Sequence, residues 1–148
     1  MDALELLKED HQTVKQLFEE AEGTEDQKEK EDLFEEIKTE LETHTYIEET
    51  VFYPAMQKLE ELKDMVMESI EEHKQVKTLL REIDNLKSDS EKFEPKLKVL
   101  KDNVEHHAEE EEEGKMFPKI REIVGQQDLE ALGNELEAAK NEWHRKAS

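Results

Sequence analysis

Apolar residues recur at alternating steps of three and four along four long stretches of the chain, which is the spacing of one face of an α-helix. The stretches cover about residues 3–21, 33–55, 62–83 and 93–111. Short connections between long helices favour antiparallel neighbours. The pattern therefore predicts an all-α, up-down-up-down four-helix bundle whose core spans about residues 3–124.

A fifth apolar stripe follows the four predicted bundle helices. It covers about residues 128–146 and has Leu129, Leu132, Leu136 and Ala139 on one side. This stripe predicts an additional short C-terminal helix that covers one end or flank of the bundle. A length of 148 residues fits one compact unit, so residues 1–148 are expected to form a single domain.

Polar and proline residues mark the breaks between the predicted helices. Thr24 and Gln27 have the spacing of a capping box that would begin the second helix. Pro54 and Pro118 lie in the last turns of the second and fourth helices, where they are expected to end or bend them.

The chain also repeats itself, which predicts two similar helical hairpins. The segment that begins at His11 matches the segment that begins at His73, and each is followed by a His-x-x-x-Glu-Glu motif and then a proline. Two hairpins of one design are expected to pack about an approximate two-fold axis. A site between them would receive equivalent ligands from each.

Each of the four predicted helices carries a histidine in its apolar stripe, and two of them add a glutamate four residues later. The histidines are His11, His44, His73 and His107, and the glutamates are Glu48 and Glu111. Residues four apart share one helix face. Counted at ~1.5 Å per residue from the turns near Leu59 and Ser88, the histidines reach similar heights, with the poorest agreement between His11 and His44.

Two glutamates on apolar stripes need an electrostatic partner, because burying an unpaired carboxylate is costly. The stripes contain no lysine or arginine, so either a cation lies between the glutamates or they are protonated. One histidine on an apolar face is more often a hydrogen-bonded core residue, but four at one level favour a metal site. Nitrogen and oxygen ligands without sulfur suit iron, manganese or zinc. Two ions bridged by Glu48, Glu111 and a solvent-derived oxygen would use all six side chains.

Other metal and catalytic signatures are missing from the sequence. None of the six histidines has a glutamate three residues before it, as in ferritin-like sites, and there is no His-Glu-x-x-His motif. Serine or cysteine nucleophiles near a histidine and glycine-rich phosphate loops are also absent. Hydrolase and nucleotide-binding functions therefore have no support.

A single histidine, then His-x-x-x-Glu-Glu leading into Phe-Tyr-Pro, then a second copy of this order, resembles the hemerythrin-like (HHE) cation-binding domain family. The resemblance covers roughly residues 3–124. It implies a non-haem site with two iron ions that binds dioxygen or reacts with dioxygen or peroxide. The implied iron ligands are His11, His44, Glu48, His73, His107 and Glu111, with the glutamates bridging. Manganese or zinc is possible at the same ligands.

The sequence departs from the family pattern at two places. Oxygen-carrying hemerythrins have a histidine where this chain has Lys77, so the resemblance implies fewer protein ligands for one iron, which argues against simple oxygen carriage. His107 also precedes Pro118 by eleven residues, whereas His44 precedes Pro54 by ten. One wide turn would absorb the extra residue, and Glu112 would then be the ligand in place of Glu111, the residue that the regular spacing favours.

The remaining candidates are assigned to packing or to the surface. His106 lies off the stripe and is expected outside the ligand layer, and His144 is expected to be solvent-exposed in the polar tail. Phe52, Tyr53 and Phe117 are interpreted as packing residues at the end of the bundle. The spacing gives no reason to assign redox chemistry to Tyr46 or Tyr53.

Composition limits the partners and the compartment. A formal net charge of −21 opposes binding to phosphate backbones and anionic lipids, so no nucleic acid and no membrane is expected as a partner. Without cysteine there is neither a disulfide nor a thiolate ligand, and a cytoplasmic protein is expected. The alternatives to an oxygen- or peroxide-binding protein are an iron sensor, a storage or scavenging protein, a peroxide- or nitric-oxide-handling enzyme, and a metal-free structural bundle.

Overall fold

A computed structural model describes residues 1–86 and 90–147 of the chain. The α-helices are α1 Ala3–Gly23, α2 Gln27–Ile47, α3 Tyr53–Gln57, α4 Lys63–Asp84, α5 Phe93–Glu105, α6 Phe117–Ile123 and α7 Gln126–Ala147. Two π-helical segments, Glu48–Phe52 and His106–Met116, join α2 to α3 and α5 to α6, and a 3-10 turn, Glu60–Leu62, precedes α4. No helix within the described ranges is long and apolar enough to cross a bilayer.

These elements form four rods: α1, the continuous α2–α3 rod, α4, and the continuous α5–α6 rod. Their contacts are those of the predicted up-down-up-down bundle, which is confirmed. The predicted C-terminal helix is present as α7, which packs across α1, α2 and the first π-helical segment. It has 22 residues and is as long as α4. The turn predicted near residue 88 lies outside the described residues.

The hydrophobic core consists of two clusters that fill opposite ends of the bundle. One contains Leu7, Ile47, Val66 and Met116, and the other contains Val14, Leu41, Val76 and Leu100. Each rod crosses from one cluster to the other, and each crossing point carries one of the four histidines. The fold therefore places a polar layer between two apolar ends.

The helix starts use aspartate caps. Asp2 and Glu5 form a capping box at α1, in which each side chain bonds the backbone N–H of the other. Asp26 caps α2 by accepting from the backbone N–H groups of Lys28 and Glu29. The expectation that Thr24 would cap this helix is wrong, because its hydroxyl oxygen accepts from the Asp26 backbone N–H, outside the helix.

The two prolines that were expected to end or bend their helices lie inside continuous rods. Pro54 and Pro118 each occupy the first turn after a π-helical segment, where a missing backbone N–H is tolerated. In both segments the last hydrogen bond spans five residues, from Tyr53 to Glu48 and from Phe117 to Glu112. Both hairpins therefore contain the wide turn that the sequence suggested only for the second.

Candidate metal centre

The four histidines of the stripes meet in the polar layer with their rings in contact. The ring centroids of His11 and His44 are 5.0 Å apart, and those of His73 and His107 are 4.8 Å apart. The Nε2 atoms of His73 and His107 approach to 3.2 Å. His11 and His44 therefore reach the same layer, although their expected heights agreed least well.

Every one of these imidazoles is held from outside by a carboxylate at Nδ1. The pairs are His11 with Glu113 at 2.6 Å, His44 with Asp10 at 3.0 Å, His73 with Glu49 at 2.7 Å and His107 with Glu72 at 2.6 Å. In each pair the Nδ1–H donates to the carboxylate, and the ring turns Nε2 towards the middle of the bundle. Carboxylates that orient histidines in this way are typical of metal sites.

The four outer carboxylates form a closed ring around the bundle. In chain order, each carboxylate accepts from the histidine of the next rod. Asp10 on α1 accepts from His44 on the second rod, and Glu49 on the second rod accepts from His73 on α4. Glu72 on α4 accepts from His107 on the fourth rod, and Glu113 on the fourth rod accepts from His11 on α1, which closes the ring. Each pair thus joins neighbouring rods. The ring fixes the relative heights of all four rods at the level of the histidines.

Two fully buried glutamates lie inside this ring of histidines. Glu48 and Glu112 each have 0% relative exposure. Oε1 of Glu48 lies 2.9 Å from Nε2 of His73 and 3.2 Å from Nε2 of His44. Oε1 of Glu112 lies 3.1 Å from Nε2 of His11, and its Oε2 lies 3.4 Å from Nε2 of His107. Each carboxylate therefore reaches histidines of both hairpins.

Glu112, and not Glu111, completes the layer, so the preference for Glu111 is corrected. His107 lies in the π-helical segment His106–Met116, where residues five apart share a face, and this places Glu112 over His107. Glu111 points to the outside, where it contacts Lys115 and lies 3.5 Å from His106. In the second rod the π-helical segment starts only at Glu48, so the four-residue spacing from His44 survives there.

Tyr53 was assigned to packing, but its hydroxyl lies at the centre of the layer. The phenolic oxygen is 2.5 Å from Oε2 of Glu112, to which it donates, and 3.3 Å from Nε2 of both His73 and His107. Tyr53 follows Glu48 by five residues, so the π-helical turn brings both to one face. Phe117 occupies the equivalent place after Glu112 and stacks on His11, which makes the two halves chemically unequal.

Several polar atoms in the layer are inaccessible to solvent and make no hydrogen bond of proper geometry, although Nε2 of His11 and Oε1 of Glu112 lie only 3.1 Å apart. They are Nε2 of His11, Nε2 of His44, Oε2 of Glu48 and Oε1 of Glu112. Buried polar atoms are nearly always paired, and four such atoms in one layer are unusual. All four belong to side chains whose ligand atoms lie within 4.8 Å of one another. The residues present therefore fit a bound cation.

A second group of converging ligand atoms shares a glutamate with the first. The first group is His11, His44, Glu48 and Glu112, and the second is Glu48, His73 and His107. Glu48 is common to them, and every member is buried except His11, which is partly buried. Nitrogen and oxygen donors in this number suit two ions better than one.

Burial and neighbouring charges shift the pKa values of His44, Glu48 and Tyr53 in the layer. Burial would by itself lower the pKa of His44, but Glu48 and Asp10 raise it to about 10. Burial would raise the pKa of Glu48, but His44 and the other groups around it lower it well below its usual range. Burial and the charges of Glu112 and Glu48 raise the pKa of Tyr53 well above its usual value. Without a metal ion, protons would supply the positive charge that the carboxylates require.

A small cavity adjoins the imidazoles on the side opposite Tyr53. It has a volume of about 20 Å³, and its aliphatic lining includes Val14, Leu41, Val76 and Val104. Each of these four residues lies three positions from the histidine of its own rod. The cavity has room for one molecule of about the size of water, which limits any ligand here to a few atoms.

Other polar residues near the layer do not enter it. Lys77, one of the two positions at which the sequence departs from the family that it resembles, lies on the surface, and its Nζ donates to Oε1 of Glu49 at 2.8 Å. His106 is half-exposed and, with Glu72 and Glu111, forms a separate group on the outside of the bundle. His144 is exposed, as expected, and its Nε2 lies 3.5 Å from the hydroxyl of Thr43.

Comparison with known proteins points to one family. The sequence profile of the hemerythrin HHE cation-binding domain matches residues 2–120. A solved structure of an HHE cation-binding domain-containing protein from Mycobacterium kansasii superposes with a TM-score of 0.85 at 27% identity, covering 99% of this chain and 90% of that one.

Two curated relatives extend well beyond the region that they share with this chain. A protein of Nostoc sp. named DNA nickase is 28% identical over 141 residues, which are 95% of this chain and 40% of that protein. An uncharacterised hemerythrin-like protein of Schizosaccharomyces pombe is 36% identical over 76 residues, which are 50% of this chain and 37% of that protein. This chain thus matches about two fifths of the length of these relatives.

Proposed function

Because the chain belongs to the hemerythrin HHE cation-binding domain family, we propose that it is a non-haem di-iron protein whose centre binds or reacts with dioxygen or peroxide. The observation that carries this proposal is the convergence of four imidazole Nε2 atoms on two fully buried carboxylates. Two of these nitrogen atoms and one oxygen atom of each carboxylate make no hydrogen bond. The surrounding carboxylate ring supports it, since such partners keep metal-ligating imidazoles oriented.

The proposed ligands divide between two half-sites. His11 and His44 would hold one ion and His73 and His107 the other, with Glu48 and Glu112 shared because each carboxylate reaches both pairs. Tyr53 stands only on the His73 and His107 side, so the two ions would have unequal surroundings. Manganese or zinc would satisfy the same donors, and iron is proposed on the family relationship.

Bound iron would supply an open coordination position and electrons for dioxygen or peroxide. The chain supplies the rest of the chemistry. The outer carboxylates hold each Nδ1 proton and orient Nε2, and the aliphatic residues of the cavity exclude bulk water and larger substrates. Tyr53 keeps the proton on its hydroxyl, 2.5 Å from Oε2 of Glu112, and this O–H can donate a hydrogen bond to a reduced oxygen atom at the centre.

A peroxide-handling enzyme is the second candidate, and the placement of Tyr53 favours it. An O–H donor at the centre assists cleavage of the peroxide O–O bond, and the Tyr53 phenol is a neutral O–H within hydrogen-bond distance of both buried carboxylates. A simple carrier needs no such donor. Repeated turnover of added peroxide would support the enzyme, whereas a stoichiometric reaction would support binding or sensing.

We also propose that the protein works in the cytoplasm without binding nucleic acid. The net charge of −21 opposes contact with a phosphodiester backbone, and the nickase name belongs to a relative that is more than twice as long as the shared region. A labelled duplex should show no change in fluorescence anisotropy when the protein is added at low salt. Saturable binding at low salt would contradict this proposal.

Metal analysis combined with absorption spectroscopy tests the proposal. Protein purified from iron-supplemented cells should hold two irons per chain, absorb in the near ultraviolet when oxidised, and change its spectrum on addition of peroxide or of dioxygen to the reduced form. A folded protein that takes up no iron under these conditions would leave the metal-free structural bundle as the better account.

A further inference from the structure

One of the outer carboxylates is itself held by a residue of the C-terminal helix. Asp10 is the least exposed of the four carboxylates, with a side-chain exposure of 9% against 16% for Glu72, 25% for Glu113 and 29% for Glu49. Its Oδ2 accepts from Nδ1 of His44, and its Oδ1 accepts from Nζ of Lys140 at 2.5 Å. Both carboxylate oxygens of Asp10 are thus hydrogen-bonded, one to His44 and the other to Lys140.

Lys140 lies on the packed face of α7 between two anchors. Leu136, one turn earlier, is fully buried, and Trp143, three residues later, stacks on Tyr46 of α2 with ring centroids 4.5 Å apart. The side chain of Lys140 is only 24% exposed. A lysine on the inward stripe of a helix needs a buried partner, and Asp10 is that partner.

We propose that Lys140 is a positioning residue of the metal centre, which acts on the metal through Asp10 and His44. The ammonium group fixes the Asp10 carboxylate, Asp10 fixes the His44 ring, and the ring then holds Nε2 towards Glu48. The helix α7 is therefore part of the centre and not merely a cover for the bundle. This inference rests on the metal site proposed above.

The test measures zinc affinity by competition with a chelator, together with the visible absorption of the cobalt-loaded protein. Lys140→Met removes the charge but keeps the aliphatic part of the side chain. It should lower the affinity for one of the two zinc ions by roughly tenfold, which is the lower end of the effect of losing a residue that orients a metal ligand. The cobalt spectrum of that half-site should change as well. Lys140→Arg, which keeps the charge, should restore most of the affinity.

Lys146→Met is the matched control. Lys146 lies on the same helix, and its substitution removes the same charge. Among its described contacts it pairs only with exposed Glu142, so this variant should bind both ions with the affinity of the parent protein. In an Asp10→Asn background, Lys140→Met should have an additional effect of less than about twofold, because its route to the metal is already broken.

Three results would overturn the inference. The first is equal zinc affinity in the Lys140 and Lys146 variants, and the second is an undiminished effect of Lys140→Met in the Asp10→Asn background. A parent protein that binds no zinc, cobalt or iron would overturn both this inference and the proposed function. Should Lys140→Met fail to fold by circular dichroism, Lys140→Gln replaces it under the same criteria.

Discussion

Glu112 follows His107 by five residues, and the π-helical turn between them places both side chains in the same buried layer. A regular α-helix would have selected Glu111, which instead faces Lys115 on the outside. One extra residue in the sequence thus changes which carboxylate meets the histidines. Because Glu112 touches His11 as well as His107, the same turn links the two hairpins across the centre.

The two adjacent glutamates give opposite predictions. Glu112→Gln removes a charge from the centre and should cost more metal affinity than the roughly 10–100-fold that loss of an outer-shell partner typically costs. Glu111→Gln should leave metal content unchanged, since that side chain lies outside the layer. Iron content and zinc competition on both variants provide the measurement. The reverse order of losses would mean that the ligand is Glu111.

Tyr53→Phe gives both hairpins a phenylalanine five residues after the buried glutamate, since Phe117 already occupies that place in the second hairpin. We expect both ions to remain bound, because the imidazoles and carboxylates are intact. The reaction with peroxide should slow by about 100-fold, because the phenolic O–H that donates a hydrogen bond at the centre is lost. Stopped-flow absorption measures the rate, and Tyr46→Phe, at the aromatic stack with Trp143, is the control. An unchanged rate would show that Tyr53 has only a packing role.

The stability of the metal-free protein should fall as the pH rises from about 6.5 to about 10. The pKa of His44 is raised from 6.5 to about 10 by Glu48 and Asp10, and the pKa values of His11 and His107 are raised as well. A histidine whose pKa is higher in the folded than in the unfolded protein stabilises the fold when the pH is below its unfolded-state pKa. This stabilisation is lost as the pH rises through its folded-state pKa. Denaturant unfolding at pH 6 and pH 9 measures the change, and constant stability between them would be contrary evidence.

Metal binding should show the complementary pH dependence. Cations and protons compete for the same Nε2 atoms, so binding should release protons and strengthen as the pH rises. Calorimetric titration of zinc in buffers with different ionisation enthalpies at pH 7 counts the released protons. Binding without proton release would mean that the imidazoles are already neutral in the metal-free protein.

Gly133 should be required for the docking of α7. A Cβ atom there would lie 2.4 Å from the backbone oxygen of Met1 and 2.9 Å from the backbone carbon of Asp2, and backbone atoms cannot rotate away. Gly133→Ala should therefore lower the free energy of unfolding by roughly 1–3 kcal/mol. Gly125→Ala, at a position with no atom within 4 Å, is the control. Equal stability of the two variants would show that α7 docks more loosely.

The bundle and its histidines were predictable because they obey the regular helical period. His11, His44, His73 and His107 each replace an apolar residue in a stripe, so their positions follow from spacing alone. Glu112 was only the alternative to Glu111, and Tyr53 was assigned to packing, because a π-helical turn shifts the period and the residues after it change face. The extra residue before Pro118 was the visible trace of the shift at Glu112, whereas the turn before Tyr53 left no such trace in the sequence.

The outer carboxylates escaped prediction because each lies just beside the stripe. Asp10 and Glu72 directly precede a histidine, and Glu49 and Glu113 directly follow a buried glutamate. In a chain with 42 acidic residues such neighbours are ordinary, and only the packing of adjacent rods reveals that each bonds the next histidine. Lys140 was hidden in the same way, since its partner Asp10 lies 130 residues away in the chain.

Anomalous diffraction at the iron absorption edge, from crystals of the iron-loaded protein, tests the central claim most directly. Two peaks are expected between Glu48 and Glu112, one beside His11 and His44 and the other beside His73 and His107. Peaks only at the outer group of Glu72, His106 and Glu111, or no peak in the buried layer, would contradict it.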